Sequence, residues 1–237
     1  MRASKRTAAV ACLVLAAVAF VLFLPVPNDG AVVGGSESTT RATDVPYEWA
    51  FDSRQDMQLP ELPTGCEATA VGTLLRMNGV LVTKLQVADA MPKSDSDFVA
   101  YFLGDPYSPK GWACMAPCGA MTANRFLETE GRLAAVELTG ADLGELPLPC
   151  AVWATIGMDD PVPSGRVKDG YELMQNPHCV VVTSVDENVV SMVDPLEGIV
   201  QCDRAAFERI YDAMGRQSVW ITDLDEALRI IRERGLQ

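Results

Sequence analysis

Histidine is almost absent from this sequence, since His178 is the only one among 237 residues. Imidazole chemistry therefore has a single possible position, and a zinc site would need cysteine thiolates as most of its ligands. The candidate set is Cys114, Cys118, Cys179 and His178, but consecutive strand residues such as His178 and Cys179 point to opposite faces. The sequence therefore predicts neither a metal site nor a cofactor.

Positive charge is also scarce, with 19 Lys and Arg against 32 Asp and Glu and a net charge of −13. Nucleic acids and anionic lipid surfaces are bound through Lys and Arg, so both are excluded as main partners. A phosphate-binding loop is missing as well, because the segment GDPYSPKG lacks the strand-loop-helix context that such a loop needs. The acidic composition favours solubility and does not indicate a particular partner.

The cysteines do not form the pattern of a small disulfide-bonded domain. There are seven, an odd number, and their spacing is irregular. Cys114 and Cys118 are close enough in sequence to form a disulfide outside the cell, or they remain free thiols in the core. Both alternatives are open at this point.

Long apolar runs are absent except at the N-terminus, where Ala8 to Leu24 carries no polar side chain. Arg2, Lys5 and Arg6 precede it, which is the arrangement of an export signal and places the N-terminus in the cytoplasm. Because no small-residue cleavage pattern follows Leu24, an uncleaved membrane anchor is favoured over a removed signal peptide. We expect the remainder of the chain to lie outside the membrane.

Composition divides the chain into three segments. Residues 1–27 are the predicted signal peptide or membrane anchor. Residues 28–45 are rich in Gly, Ser, Thr and Asp without an apolar period, which predicts a flexible linker. Residues 46–237 are long enough for one catalytic domain with a sizeable core.

Periodicity within the predicted domain indicates both helices and strands. Helices come mainly first and strands mainly later, which favours an α+β architecture with an antiparallel sheet. The predicted helices are Cys66 to Asn78, Leu85 to Ala90, Ala116 to Glu130, Arg204 to Met214 and Asp225 to Arg234. The predicted strands are Leu133 to Leu138, Ala151 to Ile156, His178 to Val185, Val189 to Val193 and Ser218 to Ile221.

Cys66 lies at the predicted start of the first long helix. Thr64 and Glu67 have the spacing of a capping box, and Gly79 supplies the stop. The unpaired N–H groups and the dipole of a helix N-terminus favour an anion, so the thiol is expected to be acidified. This position makes Cys66 a candidate nucleophile.

His178 and Asp194 lie on two strand-like runs that flank a predicted turn at residues 186–188. A three-residue turn pairs Val185 with Val189 and places Asp194 opposite Val180, so that His178 is its diagonal neighbour on the same face. A two-residue turn would put the two side chains on opposite faces. The first geometry allows a carboxylate to fix the imidazole tautomer while the free nitrogen accepts a thiol proton.

Four segments, QLPELPTGCEATA, KSDSDFVAYFLGDPYSPKGW, HCVVVTSVDENVVSMVDPLEG and AMGRQSVWI, together resemble the exported bacterial relatives of the bacteriocin-processing, double-glycine-leader peptidases. The resemblance implies a papain-like fold in which a helix bearing the nucleophile packs on an antiparallel sheet bearing His and Asp. It further implies that Cys66 is the nucleophile, His178 the base and Asp194 its orienting residue. Gln58 resembles the oxyanion-stabilising glutamine, although Gln55 is also available.

The resemblance thus implies an exported cysteine peptidase or amidase that forms an acyl-enzyme on Cys66 and acts as a monomer. The expected substrate is a peptide or a cell-envelope peptide, with cross-bridge and isopeptide bonds both open. The membrane would be contacted only through the N-terminal segment. The alternative is a non-catalytic module that keeps the fold to bind a peptide or an envelope partner.

Overall fold

The computed structural model describes residues 51–129 and 131–234. The predicted anchor 1–27 and linker 28–45 lie outside these residues. Within the described ranges, none of the helices has the length and hydropathy needed to span a bilayer. Within the described ranges, residues up to Ala227 belong to one compact unit, which contains the sheet and the candidate site, and residues 228–234 belong to a second unit.

The described residues form six α-helices and ten β-strands, with two short 3-10 turns at Leu143–Glu145 and Ile156–Met158. The helices are α1 Ser53–Asp56, α2 Cys66–Met77, α3 Lys84–Ala90, α4 Ala116–Leu127, α5 Arg204–Ala213 and α6 Leu224–Glu233. The strands are β1 Lys93–Ser94, β2 Phe102–Leu103, β3 Leu133–Glu137, β4 Cys150–Thr155, β5 Pro163–Lys168, β6 Tyr171–Met174, β7 Pro177–Val185, β8 Val189–Asp194, β9 Gly198–Asp203 and β10 Ser218–Asp223.

Six strands form one antiparallel sheet in the order β3-β10-β4-β7-β8-β9. The interior strand β4 is buried along its whole length, and helices α2 and α5 both contact it. Such a strand reads as a continuous apolar run because neither of its faces meets water. Helix α2 also packs against β7, which brings the start of α2 to the strand that carries His178. The predicted α+β class with an antiparallel sheet is confirmed.

The five predicted helices and five predicted strands are all present, and their ends differ from the predicted ones by three residues at most. The sequence patterns missed the short elements α1, β1 and β2, of two to four residues each, and also the β5–β6 hairpin and the edge strand β9. The hairpin and β9 share one property. Both lie largely at the surface, with exposed and partly exposed side chains alternating along β5 and most of β9. A strand that buries few side chains leaves little of the apolar alternation by which strands are recognised.

The predicted capping box at Thr64 and Glu67 is wrong. Gly65 is the N-cap residue of α2 and no side chain caps the helix. The Thr64 hydroxyl instead donates to the carbonyl of Ser108 at 3.0 Å, and Glu67 is fully buried. The four-residue pattern is typical of a helix that starts at the protein surface. Here both side chains make tertiary contacts instead of capping the helix.

Candidate active site

The turn that joins β7 to β8 is tighter than predicted. The N–H of Asp186 donates to the carbonyl of Val189 at 2.8 Å, which leaves only Glu187 and Asn188 in the turn. Val185 pairs with Val190 rather than with Val189. The three-residue turn expected from the sequence is therefore wrong, and this register alone would place Asp194 and His178 on opposite faces of the sheet.

A β-bulge at Thr183 restores the required register. Thr183 is the extra residue of β7, and its hydroxyl donates to the carbonyl of Ser191 at 3.2 Å. Beyond the bulge Val181 pairs with Val193, so that Asp194 continues the strand opposite Val180. Bulges commonly re-aim side chains next to functional sites, and this one returns Asp194 to the face of His178.

His178 and Asp194 form a buried pair. The distance between His178 Nε2 and Asp194 Oδ1 is 2.8 Å, and the side chains are 1% and 2% exposed. The same carboxylate oxygen accepts the N–H groups of Leu196 at 2.7 Å and Glu197 at 3.3 Å, which holds it in place. Burial acts to raise the pKa of Asp194, but the hydrogen bond and charge of His178 and the two N–H groups lower it below its usual range.

This pairing leaves the imidazole with one uncommitted nitrogen. Because Nε2 is bonded to the carboxylate, Nδ1 is the atom that can accept a proton from a nucleophile. The carboxylate and its two backbone donors fix the ring orientation, which is the role expected of Asp194 in a triad.

Cys66 is the first residue of α2, and close packing fixes its position. A Cβ on the preceding Gly65 would lie 2.8 Å from Leu62 Cβ, so only glycine fits at the N-cap without a shift. Cys66 is 5% exposed, and the backbone N–H of Cys179, next to His178, lies near enough to its sulfur to act on the pKa of the thiol. Thus α2 places the candidate nucleophile against the beginning of β7.

The expected acidic thiol is not found. Burial raises the pKa of the Cys66 thiol well above its usual range, and the Glu67 carboxylate adds to the rise. The N–H of Cys179 offsets only part of it. In this conformation burial and a neighbouring carboxylate outweigh the effect of the helix N-terminus, so the thiol is neutral at rest.

The thiol also points to a different partner from the predicted one. Cys66 Sγ lies 3.2 Å from Glu67 Oε2 and donates to it, and among the described residues it makes no hydrogen bond to His178. The structure therefore brings the predicted nucleophile and base into one neighbourhood without forming their contact. Catalytic hydrogen bonds often tighten only when substrate binds.

Glu67 is a site residue that the sequence patterns missed. Its Oε1 accepts the backbone N–H of Cys114 at 3.0 Å, and its Oε2 accepts the Cys66 thiol. Burial raises the pKa of Glu67 to about 7, although these hydrogen bonds and the charge of His178 act in the opposite direction. The only signal was its position next to Cys66, which the capping-box interpretation absorbed.

Gln58 lies beside the residue that follows Asp194. Its backbone N–H donates to the carbonyl of Pro195 at 2.8 Å, directly after Asp194. Its side-chain Nε2 donates to the carbonyl of Pro63 at 3.3 Å, and its buried Oε1 has no partner among the described residues. The alternative Gln55 instead accepts the N–H of Lys84 at 3.2 Å, which ties it to the start of α3.

The cysteines of the described ranges are all free. Cys114 and Cys118 are both buried without a disulfide between them. Over residues 51–129 and 131–234 no cluster of three or more His, Cys, Asp or Glu side chains could hold a metal ion.

The chain is similar to known proteins both in sequence and in structure. The profile of the Peptidase_C39 like family matches residues 43–219, whereas the search of curated proteins returned no match. A crystal structure described as a C39-like peptidase from Bacillus anthracis is 25% identical, with a TM-score of 0.62 over 71% of this chain and 93% of that one. A double glycine motif protease from an AMS/PCAT transporter in complex with the leader peptide is 15% identical, with a TM-score of 0.47 over 78% of this chain and 96% of that one.

The matched residues include the start of α2, both strands of the bulged hairpin and all of the side chains described above. The fold is the papain-like one of such peptidases, with the cysteine on a helix and the His–Asp pair on an antiparallel sheet. The chain belongs to the Peptidase_C39 like family, a family of cysteine peptidases.

Proposed function

We propose that the chain is an exported, thiol-dependent peptidase or amidase that cleaves a peptide or isopeptide bond through an acyl-enzyme on Cys66. The observation that carries this proposal is the buried His178–Asp194 pair, 2.8 Å apart, in which His178 lies on β7, the strand that packs against helix α2. A histidine whose tautomer is fixed by a carboxylate, and whose other nitrogen is left to accept a proton, can act as the general base for a nearby thiol.

In the proposed reaction the Cys66 side chain turns about χ1 from Glu67 to the imidazole. The thiol proton passes to His178 Nδ1, and the sulfur attacks the carbonyl carbon of the scissile bond. Collapse of the tetrahedral intermediate sends that proton to the leaving amine and leaves a thioester on Cys66. Water then adds to the thioester with the help of His178, which releases the acid product and restores the thiol.

Two groups are proposed to stabilise the negative charge on the carbonyl oxygen. The backbone N–H of Cys66 lies at the helix start, where such groups have no helical partner. The Gln58 amide has two N–H groups, of which one is used by Pro63. The second N–H is the proposed oxyanion donor, and the bond to Pro63 orients it.

A peptide is the proposed substrate because the chain belongs to a peptidase family. A cell-envelope peptide fits the proposed location outside the cytoplasmic membrane. That location rests on the basic cluster followed by the apolar run Ala8 to Leu24. Protease treatment of intact cells tests it, since residues after Ala31 should be digested without lysis.

A defined peptide pool tests the activity. The full chain is incubated with peptides that include isopeptide-linked cross-bridges, and new termini are identified by mass spectrometry. Cleavage is expected for the wild type and for Cys202→Ala, which removes a partly exposed thiol of β9 outside the site. It should be lost in Cys66→Ala. Peptides that bind without being cleaved would replace the peptidase with a binding module, and cleavage that survives Cys66→Ala would remove Cys66 as the nucleophile.

A further inference from the structure

The contact between Glu67 and Cys66 calls for an explanation that the proposed function does not supply. A triad needs an imidazole on the thiol, yet the carboxylate of the adjacent residue lies there, 3.2 Å from the sulfur. Glu67 has no exposed surface, and burying a carboxylate that serves no purpose is costly.

The surroundings of Glu67 do not hold it as a permanent anion. Its Oε1 has one backbone donor, the N–H of Cys114 from the segment before α4. Among the described residues, the titratable groups that face it are Cys66 on its own helix, the Cys114 thiol, and Cys179 and His178 on β7. Burial raises the pKa of all three thiols well above the usual range, so they are neutral, and of these four neighbours His178 is the one whose positive charge would stabilise an ionised Glu67.

We propose that Glu67 is a catalytic residue that gates the nucleophile through its own protonation. The ionised carboxylate accepts the Cys66 thiol and keeps the sulfur away from His178. The protonated carboxyl group donates a hydrogen bond to the sulfur instead, which favours the thiolate and lets the thiol proton reside on His178 Nδ1. The proton on Glu67 comes from solvent, and the thiol proton only moves to the imidazole.

The direction of the effect follows from charge. A thiolate beside an ionised Glu67 places two negative charges next to one imidazolium, whereas a thiolate beside a neutral Glu67 faces the imidazolium with a hydrogen-bond donor behind it. Because burial raises the pKa of Glu67 to about 7, the gate would operate near neutral pH. The site is then most reactive below that pH and becomes less reactive as the pH rises through it.

This inference rests on the proposed function, and the alkylation of Cys66 by iodoacetamide separates the two. The rate constant is followed from pH 5 to 9 by mass spectrometry of the Cys66 peptide, on the full chain. The variants are Glu67→Gln, which keeps an acceptor for Cys114 and a donor for the sulfur, and Glu187→Gln as a matched control in the exposed β7–β8 turn. Circular dichroism verifies that each variant is folded.

The wild type and Glu187→Gln should lose reactivity between pH 6 and 8, and Glu67→Gln should be about tenfold faster than either at pH 8, as expected for a group ionised one pH unit above its pKa. Superimposable profiles, or a Glu67→Gln variant that is slower throughout, would overturn the gate. If Glu67→Gln does not fold, a wild-type rate that rises steadily from pH 6 to 8 overturns it equally. His178→Ala should be slow at every pH, and a His178→Ala profile equal to the wild type would instead remove the proposed function.

Discussion

Asp194 and Glu67 are both buried beside the candidate active site, yet their pKa values shift in opposite directions. Asp194 accepts the imidazole and two backbone N–H groups on one oxygen, and its pKa is lowered. Glu67 accepts one tertiary backbone N–H and a neutral thiol, and its pKa is raised to about 7. The comparison teaches that the charge of a buried carboxylate depends on whether the donors and charges that face it outweigh the effect of burial, as they do for Asp194 and do not for Glu67.

The difference also divides the site into two sides. On the sheet side, β7 and β8 supply a carboxylate that stays ionised and fixes the base. On the helix side, α2 supplies a thiol and a carboxyl group whose pKa values are both raised by burial. Pairs of groups whose surroundings push their pKa values apart are typical of acid–base assignments in enzymes.

Removal of the sheet-side carboxylate should have the largest effect on activity. Asp194→Ala leaves His178 without its orienting partner, and we expect kcat to fall on the order of 10⁴-fold, as for other triads that lose this member. Asp194→Asn should retain more activity, because its Oδ1 can still accept the N–H groups of Leu196 and Glu197. Steady-state kinetics on a cleaved peptide measures kcat for both variants. Equal losses of kcat would show that keeping the hydrogen-bonded position of the side chain is not enough to support His178.

Removal of the Glu67 carboxylate should change the way in which the free energy of unfolding depends on pH. The pKa of Glu67 rises from 4.5 to about 7 on folding, so its stabilising contribution is present below about pH 4.5 and is lost as the pH increases through 7. At ~1.4 kcal/mol per pH unit, Glu67→Gln should gain on the order of 3 kcal/mol relative to the wild type at pH 8 compared with pH 4.5. Urea unfolding at the two pH values tests this.

Ionisation of Asp194 changes the free energy of unfolding with pH in the opposite direction. Its pKa is lowered on folding, so it stabilises the fold above its unfolded value near 3.8 and ceases to do so as the pH falls through the folded value. The same urea experiment on Asp194→Asn should therefore show destabilisation at pH 8 that shrinks toward acid pH. Curves for the Glu67 and Asp194 variants that move in the same direction with pH would break the comparison.

Gln58→Ala should lower kcat by on the order of 10²-fold with little change in KM, because an oxyanion donor acts mainly in the transition state. Gln55→Ala is a matched control on the same segment, since Gln55 is bonded to Lys84 at the start of α3. A rise in KM with unchanged kcat would assign Gln58 to substrate binding instead.

Gly65→Ala should have the smallest effect. The added Cβ would meet Leu62 Cβ at 2.8 Å, and overpacking of this kind costs about 2 kcal/mol. Thermal unfolding measures the loss. Gly79 and Gly140 do not offer equivalent controls. Both have a positive φ, +83° for Gly79, so an alanine at either position would report conformational strain instead of packing.

Much of the site could be anticipated from the sequence. A cysteine at a helix start and a single histidine opening a β-branched strand are local signals, and in the structure this helix packs against this strand, His178 is hydrogen-bonded to Asp194, and the backbone N–H of Gln58 donates to Pro195. The register could not be predicted, because the tight turn at Val185 and the bulge at Thr183 cancel each other and neither leaves a sequence signal. The charge of Glu67 and the pKa of Cys66 depend on tertiary burial, which local pattern does not encode.

The formation of an acyl-enzyme on Cys66 tests the central claim most directly. The full chain is mixed with an activated peptidyl ester, quenched in acid within milliseconds, and analysed by intact mass and peptide mapping. The account predicts one acyl adduct, located on Cys66, in the wild type and in Cys202→Ala, none in Cys66→Ala, and a much slower one in His178→Ala. An adduct on another residue, or peptide cleavage without any acylation of Cys66, would contradict it.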